Sequence, residues 1–456
     1  MSDVKQMLKD QKVFYQSNKT RDLEFRIRHL KALYNTIEKY EGDIALALKK
    51  DLNKAHFEAY ETEIGIVLSE IRHTIKNLPK WSKPERVAPS FLHFPSTGFV
   101  YHEPYGSVLI MSPWNYPFQL TMVPLVGTIA TGNCAIVKPS EYSFNTAEIM
   151  EKIIKEVFEN DYVSVVRGGR EANKELLNEK FDYIFFTGSP KVGRVVMESA
   201  SKNLTPVTLE LGGKSPCIVD DTADIALSAK RIVWGKLLNA GQTCIAPDYL
   251  YVQNDIKDEL IREIGKCVEQ FYGQRPELHE DYPKIISEKH YNRLCGLMEK
   301  GTIVYGGRVN EKTRQISPTL IDDVDWEDPI MKEEIFGPLL PIMTFDNFND
   351  IIPIINNRPK PLTMYLFTTD KNHEHRVVNE LSFGGGCIND TIIHIANTNM
   401  SFGGVGESGM GQYHGKTSYE TLTHEKTIIK KSNLLDIPLR YPPYNKKLKL
   451  LKLLMR

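Results

Sequence analysis

The sequence predicts an α/β protein built from two doubly wound parallel-sheet domains, and three patterns carry that prediction. Apolar residues at helical spacing open the chain. From Glu103 onward, short strand-like apolar runs alternate with helical runs, the signature of a parallel sheet with covering helices. The alternation then restarts after Gly213 and continues to about Ile395, which calls for a second sheet.

Taken in order, Leu23, Ile27, Leu30, Tyr34 and Ile37 fall on one helical face. A second helical pattern runs through Ile44, Leu48 and Leu52, and a third through Ile64, Val67, Leu68 and Ile71. The proline-rich segment from Pro79 to Pro95 interrupts as an extended crossing strand or linker. Strands are expected at Val108–Met111, Cys134–Val137, Val163–Val166, Tyr183–Phe186 and Val207–Leu211. One intervening helix starts at Asn145, with Glu148 three residues on, in the manner of a capping box. The second unit has strands at Cys217–Val219 and Leu250–Val252 and helices through Ala226–Leu238 and Lys257–Phe271.

A chain of 456 residues, 41% hydrophobic, can bury large cores, and its length suggests two or three domains. Its net charge of −1 points to no nucleic-acid partner. Six cysteines without a CxxC pair fit a reducing, cytoplasmic setting with no structural metal. The charged amino terminus lacks the apolar core of a signal peptide, and no apolar run approaches the roughly twenty residues of a spanning helix.

Two stretches carry chemistry. In PVTLELGGKSP, Glu210 ends a strand between Leu209 and Leu211, where apolar surroundings would raise its pKa and suit it to accept a proton near neutral pH. In NAGQTCIAP, Cys244 sits in a loop opened by Gly241 and closed by Pro247. Each also fits a plain structural role, as a paired buried acid or a small core hydrophobe. In YIFFTGSPKVGR, a strand, a Gly188-Ser189 turn and a helix would aim free N–H groups at a pyrophosphate, although many such turns hold no ligand. In AIVKPSE, Lys138 and Glu141 leave a strand end where ligands of open sheets collect; a solvated charge pair is the alternative. Asn115, between two prolines in MSPWNYP, suits an oxyanion or simply caps its own turn. The glycine-rich run from Ser401 to Gly411 lacks the spacing of a phosphate loop, and His414 beyond it shows no partner.

The strings LELGGKSP and NAGQTC, in this order, resemble the glutamate and cysteine signatures of the aldehyde dehydrogenase superfamily. PWNYP, the short length and the RYPPY ending at Arg440–Tyr444 look most like its class-3 branch, and the resemblance spans nearly the whole chain. It implies Cys244 as nucleophile, Glu210 as general base and Asn115 with the Cys244 N–H as oxyanion hole. It further implies that Gly188, Ser189 and Val192 face a dinucleotide, that Lys138 and Glu141 bind its adenine-side ribose, and that Trp114 joins the cofactor contacts. KEEIFGP resembles the family's E-x-F-G-P motif, so that Glu334 would bond the nicotinamide ribose and Phe336 would pack beside the nicotinamide.

NAD is the implied cofactor, with NADP possible, because a carboxylate at Glu141 repels a 2′-phosphate. The implied reaction oxidises a hydrophobic aldehyde to an acid through a thiohemiacetal and a thioester. An acylating or reductive relative often lacks the base, and Glu210 argues against that reading; a dinucleotide-binding scaffold without turnover is the other alternative, against which the intact trio of Cys244, Glu210 and Asn115 speaks. By the same likeness, residues 1–81 and 103–212 form the dinucleotide-binding domain, 213–402 the catalytic domain, and 82–102 with 416–432 an arm joining two subunits of a homodimer. Residues 436–456 form a basic amphipathic tail. There Lys449, Lys452 and Arg456 share one face, with Leu448, Leu451 and Met455 on another, which would allow weak contact with a membrane surface.

Overall fold

The computed structural model describes residues 4–90, 93–444 and 447–455. Its first sheet has six strands. In spatial order they are Gly409–Met410, Val207–Glu210, Tyr183–Thr187, Ser107–Met111, Cys134–Lys138 and Val163–Val165; all are parallel except the first. The central strands are buried on both faces, which is why they read as continuous apolar runs. A second sheet of seven strands holds Pro216–Val219, Tyr249–Gln253, Leu339–Phe345 and Thr363–Phe367 at its centre. A third sheet is antiparallel, formed by Glu85–Val87, Ser96–Pro104 and Thr423–Lys431.

The three amino-terminal helical patterns correspond to helices Leu23–Lys39, Glu41–Leu52 and Gly65–Trp81. Asp22 starts the first by accepting the Glu24 N–H at 3.1 Å. Asn53 ends the second in the left-handed region, at φ 58°. Ile27, Leu30, Ile37, Ile44, Leu48, Ile64, Val67 and Ile71 enter one core with the first sheet. Helix Gln119–Thr131 is buried at every position and stops at Gly132, φ 87°, where a Cβ would stand 2.6 Å from the Thr20 carbonyl.

Two expectations need correction. The helix Gly65–Trp81 continues through Pro79, because a proline in the final turn costs only the bond its missing N–H would have made. No capping box starts at Asn145: the helix begins at Phe144, and its first N–H groups are satisfied from a distance by Asp51, whose carboxylate accepts the N–H groups of Asn145 at 3.2 Å and Thr146 at 2.8 Å. From the glycine-rich run, Gly409 and Met410 pair with Glu210 and Leu209 and extend the first sheet. Within 416–432, residues up to Thr421 belong to helix Gly415–Thr421, and strand Thr423–Lys431 follows.

In the tail, helix Leu448–Leu454 buries no residue; Leu448 and Leu451 are exposed together with Lys449 and Lys452, while Arg456 lies outside the described residues. Among the described residues no helix is long and apolar enough to cross a membrane. All six cysteines are free.

Asp51 also accepts the Asn145 side-chain amide and the Thr146 hydroxyl. Asp51→Ala should therefore orphan several buried donors and lower the unfolding free energy by about 1–3 kcal/mol, read from the midpoint of urea denaturation.

Candidate active site

After helix Ile225–Leu237 the chain turns through Asn239, Ala240 and Gly241, with φ of 53°, 51° and 72°. Left-handed conformations at the first two cost about 1–3 kcal/mol each and persist only where the surroundings dictate them. Here they do. The Glu58 carboxylate accepts the Asn239 N–H at 2.7 Å, and the Asn239 amide donates to the carbonyls of Asn115 at 2.8 Å and Gln242 at 3.1 Å. The Gln242 amide donates to the Asn239 and Lys284 carbonyls and accepts the Ile286 N–H, all at 3.0 Å. A side chain at Gly241 would collide with the Gly337 carbonyl. Beyond Cys244, the Tyr365 hydroxyl grips the Ile245 carbonyl at 2.6 Å.

The loop carrying Asn115 is fixed from the other side. Glu63 pairs one oxygen with the Lys54 ammonium at 2.5 Å, and its other oxygen accepts the N–H groups of Phe118 and Gln119 at the start of helix Gln119–Thr131. Lys54 also donates to the Asn115 carbonyl at 3.1 Å and lies 3.8 Å from the Tyr116 ring centre. The Asn115 amide donates to the Gln242 carbonyl at 3.1 Å, and the Tyr116 hydroxyl bonds Thr243 at 2.7 Å. Asn115 and the turn before Cys244 are thus one hydrogen-bonded unit.

Glu210 arrives from the first sheet. It is 3% exposed, and among the described residues neither carboxylate oxygen has a hydrogen-bond partner. Burial raises its pKa well above the usual carboxylate range, as the apolar sequence setting led one to expect. The Cys244 thiol is pushed up by burial first, then by the Glu334 and Glu210 carboxylates, while its own N–H and that of Ile245 pull it down. Sulfur, both carboxylates and two main-chain donors therefore share one site.

The other sequence-expected residues form two groups. Ser189 caps helix Pro190–Ser201, but the Gly188 N–H is not free as the sequence suggested: it donates to the Glu210 carbonyl at 2.9 Å, and the Phe186 ring lies so close that a Cβ on Gly188 would stand 2.6 Å from it. Val192 is exposed in the first turn of that helix. Lys138, buried at a strand end, has its pKa lowered by burial against an opposing pull from Glu141, whose carboxylate covers Gly169. In the second group the Glu334 carboxylate lies over Gly212, and its pKa is pushed up to about 8 by burial and then Asp248. Phe336 is held at φ 54°, and Trp114 meets it edge-on at 5.3 Å and His290 at 5.1 Å. A capped helix start, a buried lysine and flat aromatic walls fit the phosphates, ribose hydroxyls and rings of a dinucleotide.

Sequence reasoning missed the buried charges behind these loops, Lys54, Glu58, Glu63 and Asp248. Asp248 accepts the Ile335 N–H at 2.9 Å and pairs with Lys214, which also donates to the Glu333 carbonyl at 3.2 Å. The only hint was an acid, Glu63, beside an apolar helical face. His414 also has a partner after all: Glu70 lies 3.6 Å from its Nδ1, and Tyr413 stacks on it at 4.2 Å.

Residues 1–428 match the aldehyde dehydrogenase family. The chain is 49% identical to the 4,4'-diaponeurosporen-aldehyde dehydrogenase of Staphylococcus aureus, over 99% of each chain. It is 42% identical to the dimeric NADP-preferring aldehyde dehydrogenase of Canis lupus familiaris, over 97% of this chain and 98% of that one. The solved substrate-bound state of Staphylococcus aureus AldH superposes with a TM-score of 0.98, at 48% identity and full coverage of both chains. Betaine aldehyde dehydrogenase from the same species, solved with NAD+, gives 0.86 at 25% identity, over 96% of this chain and 89% of that one. The chain belongs to the aldehyde dehydrogenase family, among its class-3 members. It is an NAD(P)-dependent enzyme that oxidises an aldehyde to a carboxylic acid.

Burial raises the Glu58 pKa to about 7, with Lys54 and the Asn239 N–H opposing. A carboxyl whose folded pKa exceeds its unfolded value, about 4.3, contributes stability below that value and loses it as pH rises toward 7. Glu58→Gln keeps an acceptor for Asn239, so its melting temperature should fall less than the wild type's between about pH 5 and pH 8. Parallel melting curves across that window would refute the assignment.

Proposed function

We propose that Cys244 is the nucleophile, Asn115 and the Cys244 N–H the oxyanion hole, and Glu210 the base that hydrolyses a Cys244-bound thioester. The observation that carries this reading is the meeting of sulfur, amide and buried acid in one site, each delivered by a different part of the chain. The Cys244 thiolate attacks the aldehyde carbon, and its oxygen becomes an anion facing the amide donors. Bound NAD(P)+ supplies the acceptor for the hydride that this tetrahedral carbon must lose. The acyl group is then a thioester on the sulfur of Cys244. Glu210 takes a proton from water, the hydroxide equivalent adds to the thioester, and the acid leaves as the thiolate returns.

Gly188, Ser189, Val192, Lys138, Glu141, Glu334, Phe336 and Trp114 would hold the dinucleotide, and the Glu141 carboxylate favours NAD by repelling a 2′-phosphate. Trp234, Phe402 and Ile392 belong to the same apolar core that Cys244 packs against, which supports a hydrophobic aldehyde as substrate. The free cysteines support a reducing, cytoplasmic setting.

The arm supports a homodimer. Strand Thr423–Lys431 pairs along one edge only, and its neighbours Val87, Tyr101, Ile428 and Ile429 expose apolar surface. A double change of Ile428 and Ile429 to Lys should halve the mass seen by sedimentation equilibrium; an unchanged mass would remove the arm from the interface.

Cys244→Ala should abolish NADH formation while leaving NAD binding within a few-fold of wild type by calorimetry. Glu210→Gln should form NADH once per site and then stall, by at least about a hundredfold, as expected when a general base is lost. Normal steady-state turnover in that variant would take Glu210 out of the base role.

A further inference from the structure

Several buried polar atoms around Glu210 are unbonded, and they lie on one face of the first sheet. Strand register pairs Phe185 with Thr208 and Thr187 with Glu210, so Tyr183, Phe185, Thr187, Thr208 and Glu210 share that face. Tyr413 packs against it, its ring 5.2 Å from Phe185 and edge-on to it. The approach is set by the main chain: Gly409 pairs with Glu210, and Gly411, at φ 82°, passes so close to Thr208 that a Cβ would stand 2.9 Å from its hydroxyl. Tyr413 is 1% exposed, and among the described residues its hydroxyl completes no hydrogen bond. Both Glu210 oxygens and the Thr187 hydroxyl are in the same condition.

A buried phenol with only the Gln119 side chain close enough to interact with its hydroxyl, and a buried carboxylate without a partner, are individually costly. One bond from the first to the second would relieve both. The other titratable groups facing Glu210 are less free to supply it. The Tyr183 hydroxyl is already bonded to Thr208 at 2.7 Å, and the Cys244 thiol is the reacting group. Behind Tyr413, Gln119, His414 and Glu70 complete a buried polar wall. After burial itself, Glu210 is the strongest influence raising the Tyr413 hydroxyl's pKa, ahead of Cys244 and Glu70.

We propose that Tyr413 is the positioning residue for the base: its hydroxyl donates to the Glu210 carboxylate when that group is ionised for thioester hydrolysis. The inference rests on the reading of Glu210 as base. The bond favours the charged form, so it holds Glu210 ionised, and able to accept a proton from water, at a lower pH than burial alone would permit. Tyr413 does not touch the aldehyde-derived carbon and has no part in forming the thioester.

The test follows deacylation alone. Cys244 is acylated with an activated carboxylic ester, and hydrolysis of the acyl-enzyme is timed from acid to neutral pH. Tyr413→Phe should leave the acylation rate within about twofold, slow deacylation about tenfold at neutral pH and move its acid limb up by about one pH unit, the tenfold per unit of a single titrating group. 3-Fluorotyrosine at position 413, a stronger donor, should move the limb down, and this isosteric change also covers the case of a poorly folding Phe variant. An acid limb that stays put in both overturns the proposal, as does a limb moved by Thr187→Val and not by Tyr413→Phe. If Glu210→Gln deacylates normally, the base reading itself fails; if it stalls while the position-413 variants behave as wild type, only the present inference fails.

Discussion

A lysine with no exposed surface holds the catalytic loops in place. Lys54 sits between the Glu63 carboxylate, the Asn115 carbonyl and the Tyr116 ring, and Glu63 in turn closes the start of helix Gln119–Thr131. A buried ion pair adds little net stability against an apolar substitute, but losing one partner leaves an uncompensated charge at a cost of about 3–5 kcal/mol. The pair therefore acts as a specificity device: only one placement of the Asn115 loop satisfies it. Through Asn239 and Gln242 that placement is passed to the strained turn before Cys244, so the Asn115 loop and the Cys244 loop are registered to each other.

A second hub works on the cofactor side. Asp248, just beyond the cysteine loop, accepts from Ile335 and pairs with Lys214, which reaches the Glu333 carbonyl. The segment of Glu334 and the loop of Cys244 are ninety residues apart in the chain, yet Asp248, just past that loop, holds the main chain on both sides of Glu334. The result is a site whose acids are raised by burial, Glu334 to about 8 and Glu210 well above the usual carboxylate range, around a thiol raised by the same burial. Approach of a positive nicotinamide ring, or of a donor to either acid, shifts that balance toward the charged forms that chemistry needs.

Much of this was legible in the chain because the decisive signals are local. Buried parallel strands are continuous apolar runs, and Glu210 and Cys244 stand in short strings whose neighbours set their environment. What was hidden depends on distance. Asp51 capping a helix begun ninety residues later, Glu70 beside His414, and Gly409 pairing with Glu210 all join segments with no local signature of partnership. The Asn145–Glu148 spacing misled for the same reason: a sequence-local cap is one solution to exposed helix N–H groups, and a remote acid is another.

The antiparallel strand Gly409–Met410 has an implication for how the molecule is assembled. Without it, the strand ending in Glu210 is the open rim of the first sheet, and its acid side chain would face water instead of a dry wall. Since that rim is closed by a segment translated some two hundred residues later, a nascent chain can form the other strands of its first sheet and still leave this edge open. The neighbourhood of Glu210 is therefore completed only with the final tenth of the polypeptide.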